Sequence, residues 1–293
     1  MARNLTWTMR SGSWTRQSWP LALPLALSFV GFFLAPLLLL LGVSFFNNTQ
    51  ITEPGLGTWS GFLADIFYWK VTFDTVKLGF TTVLATLLIG FPLAVVYLKS
   101  SVRTQRIIIL IVILPLLLSV VVRTFAWIVI LSREGVINQT LLSLGLISTP
   151  LRLLQTELGL VISLTQIELP LMLLPLISVM ARIDPSMLDA SSALGASKWR
   201  TFFKILLPLS VPGLIAGCTL VFASSTTAFI SQSVIGGNRL VYLPLIVWQQ
   251  SLVVFNWPMA AVASVMLLTS VLLCIVLIGL VGRKSMRYLH VQT

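Results

Sequence analysis

Long runs of Leu, Ile, Val, Phe and Ala, separated by short polar or basic stretches, set the pattern of this chain. Six runs come close to the ~20 consecutive apolar residues that a helix needs to cross a bilayer core. They predict membrane-spanning helices at about 20–46, 75–98, 107–131, 158–181, 207–232 and 260–282. The first run is longer than a signal-peptide core and has no small-x-small cleavage site before Asn47, so it is expected to stay as an anchor. After it, Trp59, Phe62, Leu63, Ile66 and Phe67 recur at helical spacing. They predict a short helix at the membrane surface, its aromatic residues forming a belt. Asp74 and Thr75 offer a cap for the second span. The expected organisation is an all-α integral membrane protein: a tail over 1–19, one membrane domain over 20–282 with a polar loop at 182–206, and a tail over 283–293.

Composition narrows the class. Hydrophobic residues make up 57% of the 293 positions and charged residues 9%, with a mean hydropathy of +1.00, whereas a soluble domain carries roughly 25% charged residues. The net charge of +11 forms no stripe or basic domain, which argues against nucleic acid as a partner. The basic residues instead mark the ends of apolar runs. Thirteen fall in one set of ends: Arg3, Arg10, Arg16; Lys99, Arg103, Arg106; Arg182, Lys198, Arg200, Lys204; Arg283, Lys284, Arg287. Five fall in the opposite set: Lys70, Lys77, Arg133, Arg152 and Arg239. Positive charge stays on the cytoplasmic side, so both termini and the 182–206 loop are expected there. Cys218 and Cys274 sit inside apolar runs, where cysteine behaves as a small hydrophobe. His290 is the only histidine. No metal or cofactor spacing is present, and a membrane-embedded enzyme would need a clustered set of acid, base or metal groups.

The polar loop has its own grammar. Asp184 as cap and Pro185 at the first helical position start a helix. Met187, Ala190, Ser191 and Leu194 share one weakly apolar face of it. Gly195 permits the left-handed conformation that stops a helix, and Ser197 caps a second one. Trp199, Phe202, Phe203 and Leu206 form an apolar stripe on that second helix, while Lys198, Arg200 and Lys204 lie off it, placed for phospholipid headgroups. Pro208 is expected to mark entry to the next span. The pattern is a helix–Gly–helix hairpin, either a plain connector or a docking element for a partner.

Asp189-Ala190-Ser191, three residues, Gly195, nine residues, then Ile205-x-Leu207-Pro208 resembles the EAA loop (E-A-A-x3-G-x9-I-x-L-P) of membrane permease subunits of binding-protein-dependent ABC importers. Glu is replaced by Asp and the second Ala by Ser, which keeps charge or size. "VVVRTFAWIVILSREGVIN" and "GGNRLVYLPLIVWQQSLVVFNWP" are similar to segments of the spermidine/putrescine branch of that family. The resemblance implies a subunit of the bacterial inner membrane that docks a dimer of separate ATPase subunits, which hold ATP and Mg. It also implies a second permease of similar fold and a periplasmic solute-binding protein. The docking helix would carry Asp189, Ala190, Ser191 and Gly195, with Met187, Leu194 and Ser197 around them. No G-x-x-x-x-G-K-[ST] occurs in the chain, as a permease that leaves hydrolysis to a partner requires. The branch implies a polyamine or a related small organic solute.

Charged groups within spans are costly and are functional candidates by default. Arg123 falls in the third predicted span and Glu168 in the fourth, with Thr165 and Gln166 beside it and Pro170 freeing a backbone carbonyl. Ser225 and Thr226, in "ASSTTAF", could extend a polar path. The alternative reading pairs Arg123 with Glu168 to hold the bundle together, and lets the hydroxyls bond to their own helix. Branch members often carry an uncharged residue near position 168, so Glu168 implies a distinct solute. A rival function, a self-contained secondary transporter, predicts inverted repeats and paired broken helices around a midplane site, and the sequence displays neither.

Overall fold

The computed structural model describes residues 19–290, and every described element is helical apart from one isolated bridge, Phe46 to Pro54. The expected tail over 1–19, with Arg3, Arg10 and Arg16, falls outside the described residues except for Trp19. α1 (Trp19–Phe29), a π-turn (Val30–Leu34) and α2 (Ala35–Val43) form one apolar rod. It keeps side chains such as Phe32 and Leu39 in the open, as suits a helix whose solvent is lipid.

The surface helix is real but shorter than its apolar spacing suggested. α3 (Gly57–Ala64) stops at Asp65, whose carboxylate accepts the Phe67 N–H (2.8 Å) and caps α4 (Ile66–Lys99). Ile66 and Phe67 thus open the next helix, and Phe62 is buried and stacked on Tyr68 instead of lying in a surface belt. Asp74 and Thr75 do not cap. They lie inside α4, where the Thr75 hydroxyl donates to the Val71 carbonyl and accepts the Leu243 N–H (3.0 Å). Asp65 wins the role because its backbone is extended (φ −90°, ψ 117°), which a capping residue needs.

The apolar run expected to cross as one helix over 107–131 is bent by 103°. α5 (Val102–Ile113) tightens into a 3-10 turn (Leu114–Leu117) carrying Pro115, the chain extends at Leu118 and Ser119, and α6 (Val120–Leu131) and α7 (Val136–Ser143) follow. Proline at 115 has no N–H for the α-helical ladder, so the helix stops where the apolar pattern does not.

α8 (Glu157–Met180) is the central element. Its partners run along both sides of it. Lys77 pairs with Glu157 (2.7 Å), and Phe91 and Ala94 share a core cluster with Leu173, Leu176 and Met180, so α4 and α8 run in the same direction. The chain next forms α9 (Pro185–Ala193), α10 (Lys198–Thr201), a π-turn (Phe202–Leu206) and α11 (Leu207–Thr227). Pro208 marks no boundary: α10 passes into α11 without a break, the wide π-turn absorbing the proline that follows it. α11 returns antiparallel along α8 on two glycines four apart. A Cβ on Gly213 would stand 3.0 Å from the Leu176 Cα, and one on Gly217 would stand 3.0 Å from the Met172 carbonyl. Small residues at this spacing let membrane helices approach backbone to backbone.

The expected fifth span over 207–232 splits at Ala228 (ψ 60°), and α12 (Phe229–Gly236) begins anew. The Gln232 side-chain amide donates to the Ser225 and Thr226 carbonyls (2.9 and 3.1 Å), satisfying two acceptors that the end of α11 leaves open. α13 (Leu243–Trp248), extended by a π-turn (Gln249–Val253), is a short apolar helix that the sequence pattern did not resolve, and α14 (Trp257–His290) closes the bundle. Among the described residues five helical units have the length and composition to cross a bilayer, or six when the bent pair counts as one.

Candidate functional site

The candidates read from the sequence lead to two places: the hairpin between α8 and α11, and a cavity beside the breaks in the bundle. In the hairpin, the Asp184 carboxylate accepts the Ser186 N–H (2.9 Å), which caps α9 and holds that carboxyl below the usual carboxylate range. α9 ends on Gly195 at φ +76°. The Ala196 N–H reaches the Ser191 carbonyl (3.1 Å) and the Gly195 N–H the Ser192 carbonyl (3.0 Å), the paired bonds of a Schellman stop. The Ser197 hydroxyl accepts the Arg200 N–H (3.3 Å) and starts α10.

Within the coupling set read from the sequence, Met187 and Leu194 are exposed (47% and 88%), as are Asp189, Ala190, Gly195 and Ser197. Ser191 differs. It is 7% exposed and its hydroxyl bonds the Thr201 hydroxyl (2.7 Å), tying the two arms together instead of facing outward. The aromatic stripe divides as well. Phe202 packs edge-on to Phe91 (5.5 Å) and Leu206 is buried in the same cluster, while Trp199 and Phe203 stack on each other in the open.

The cavity measures about 440 Å³. Leu116 and Val120 border it from the α5–α6 bend, Ala228 and Ser231 from the α11–α12 break, and Arg123 and Glu168 from α6 and α8. Glu168 is 4% exposed, and its carboxylate accepts the Ser224 hydroxyl (2.9 Å). Arg123 donates from Nη1 to the Ile167 carbonyl at 3.4 Å, and its Nε is buried without a partner. The two do not pair: among the described residues the one ion pair is Lys77–Glu157. The direct structural pairing weighed from sequence is thereby replaced by a carboxylate held by a serine and a guanidinium resting on a carbonyl.

The other pathway candidates lie elsewhere. Thr165 is buried and donates to the Val161 carbonyl (2.6 Å), and Gln166 accepts the Trp127 indole N–H (3.0 Å), fixing α6 to α8. Ser225 and Thr226 are fully buried and bond back to Phe222. Their neighbours Ser224 and Thr227 line the cavity instead. The cavity thus takes the other two hydroxyls of the same run. Ser224 and Thr227, three apart on α11, share one face, while Ser231 reaches the cavity from the restarted α12. A second cavity of about 470 Å³ meets the first at Thr227 and Phe229 and is walled by the stacked Phe229–Trp248 pair (5.7 Å).

An apolar helical bundle with broken helices around a buried charged cavity, and a polar hairpin continuous with a spanning helix, defines a solute-translocating membrane subunit. Residues 57–287 match the family described as the binding-protein-dependent transport system inner membrane component, and the chain belongs to that family. It is 30% identical over 238 residues to the spermidine/putrescine transport system permease protein PotB of Haemophilus influenzae, covering 80% of this chain and 83% of that one. To the protein of the same name from Escherichia coli it is 33% identical over 205 residues, 70% of this chain and 74% of the relative. The fold aligns with a chain of a bacterial ABC transporter involved in the import of the acidic polysaccharide alginate. That match has a TM-score of 0.73 at 18% identity, over 90% of this chain and 94% of that one.

The chain is therefore a multi-pass inner-membrane permease subunit of a type I ABC importer, and ATP hydrolysis resides in a separate subunit. Paired helix breaks, the feature reserved above for a secondary transporter, are present at Leu118–Ser119 and Ala228, so they do not separate the two functions. The family match does.

Proposed function

We propose that this chain supplies half of the translocation pathway for a small amine-bearing organic solute, with polyamines as the leading class, and that the 185–201 hairpin couples it to a dimer of ATPase subunits. The substrate reading is supported by the extent of similarity to the two spermidine/putrescine permeases. The coupling reading is carried by one observation: a hairpin with a Schellman stop at Gly195 and exposed Met187, Asp189, Ala190 and Leu194 runs without a break into α11. Such a hairpin offers a small-residue surface to a groove and a rigid helix to receive the motion. Ser191 sets the angle between its arms, and Ser197 restarts the helix.

The bent α5–α6 pair counts as the third of six spans, and the excess of basic residues places both termini and the hairpin in the cytoplasm. A periplasmic solute-binding protein delivers the solute to the opposite face, and a second permease of similar fold completes the path. The test is uptake of radiolabelled spermidine by cells expressing the complete transporter, with a cysteine at Ala190 for cross-linking to the ATPase subunit. Spermidine uptake with a cross-link at position 190 is the expected result. Uptake without any cross-link at 187–195 would remove the coupling role from this hairpin.

A further inference from the structure

The cavity holds a guanidinium and a carboxylate that are not bonded to each other. A buried charge is costly unless something neutralises it. Glu168 has only the Ser224 hydroxyl, and Arg123 only one long bond to a carbonyl with its Nε unpartnered. Both border the same 440 Å³ space, large enough for a small organic molecule. A dication such as an α,ω-diamine would satisfy Glu168 and be repelled by Arg123. A dianion would meet the reverse. A molecule with an ammonium at one end and a carboxylate at the other satisfies both, and a planar guanidinium takes a carboxylate by two parallel bonds.

We propose that this cavity binds a zwitterionic amine, its ammonium on Glu168 and Ser224 and its carboxylate on Arg123. The apolar cavity beyond Thr227, walled by Phe229 and Trp248, receives the rest of the solute when the body is longer than the charged ends require. This rests on the reading of the cavity as part of the solute path, and within small amine-bearing organic solutes it puts amino acids ahead of the polyamines that sequence similarity puts first.

Two four-carbon probes separate the possibilities, because 4-aminobutanoate and 1,4-diaminobutane differ mainly in one charged end; butanedioate completes the set. Binding of each is measured by equilibrium dialysis on the whole permease–ATPase complex in lipid nanodiscs, with the periplasmic protein omitted so that its own selectivity does not enter. 4-Aminobutanoate is expected to bind at least tenfold more tightly than either other probe, a comparison that needs no variant. Arg123→Gln is expected to weaken 4-aminobutanoate at least tenfold while leaving 1,4-diaminobutane unchanged or tighter, and Glu168→Gln to weaken both amines. Tightest binding of 1,4-diaminobutane, indifferent to Arg123→Gln, would overturn the inference yet leave an amine permease in place. Binding of none of the three would overturn both the inference and the cavity's place on the path.

Discussion

Gly195 sits at φ +76° with nothing within 4 Å of where a Cβ would stand, so a side chain there meets no steric block. What it meets is its own backbone: the left-handed conformation costs a non-glycine residue roughly 1–2 kcal/mol. Gly195→Ala is therefore expected to loosen the Schellman stop and lower uptake while basal ATPase activity persists, and Gly195→Asn, a residue tolerant of this conformation, to recover much of the loss. Uptake and hydrolysis measured on the same preparation check it. Asp184 adds a pH dependence of known sign. Its carboxyl is held below the usual range by the Ser186 N–H, so the cap it forms is complete above the ordinary carboxylate pKa. The cap is lost as pH falls through the lowered value, and Asp184→Asn should make the hairpin's proteolytic protection independent of acid. In the cavity, Ser224→Ala removes the hydroxyl that holds Glu168, whereas Ser225→Ala removes one turned to its own helix. The first is expected to raise the KM for uptake severalfold and the second to leave it unchanged. Both serines were visible in the sequence, and one helical step of about 100° separates them. Composition carries no phase, so the choice between them waited on the packing of α11 against α8.

Gly213 and Gly217 set how closely α11 lies on α8. Adding a methyl at 217 brings it 2.8 Å from the Met172 sulfur and 3.0 Å from the Met172 carbonyl. Overpacking of this kind costs roughly 1–3 kcal/mol. Gly217→Ala should lower the Tm of the detergent-solubilised complex, and Gly217→Leu should prevent its assembly; a thermal melt and size-exclusion chromatography read the two. Helix existence was legible wherever an apolar run was long, as for α8 and α14. The stops were not. Ala228 has the highest helix propensity of any residue, yet α11 ends there because Gln232 takes over the carbonyls of Ser225 and Thr226. That contact is tertiary and leaves no trace in a local pattern. The bend at Leu118–Ser119 hides for the opposite reason: apolar residues continue straight through it, and only Pro115 hints at the break. Asp65 shows a third case, a cap legible as a residue type but outcompeted by Asp74, which stands directly before the expected second span.

For the whole molecule, the distribution of basic residues makes a topology that labelling can read. A cysteine at Asn48, in the turn after the first rod, should react with a membrane-impermeant maleimide from the periplasmic side, and one at Ala196 only after the membrane is opened. The reverse pattern would invert the orientation. The hairpin and the cavity stand at opposite ends of one mechanical part. From Lys198 to Thr227 the chain is 30 residues of uninterrupted helix, about 45 Å of strut at 1.5 Å per residue. It widens only at the turn Phe202–Leu206, and its far end carries the hydroxyl bonded to Glu168. A nudge delivered at the hairpin therefore arrives at that bond as a displacement of its donor. Under the proposed coupling, the carboxylate's grip on its serine would act as a latch that the stroke of the ATPase subunit opens from the hairpin's end.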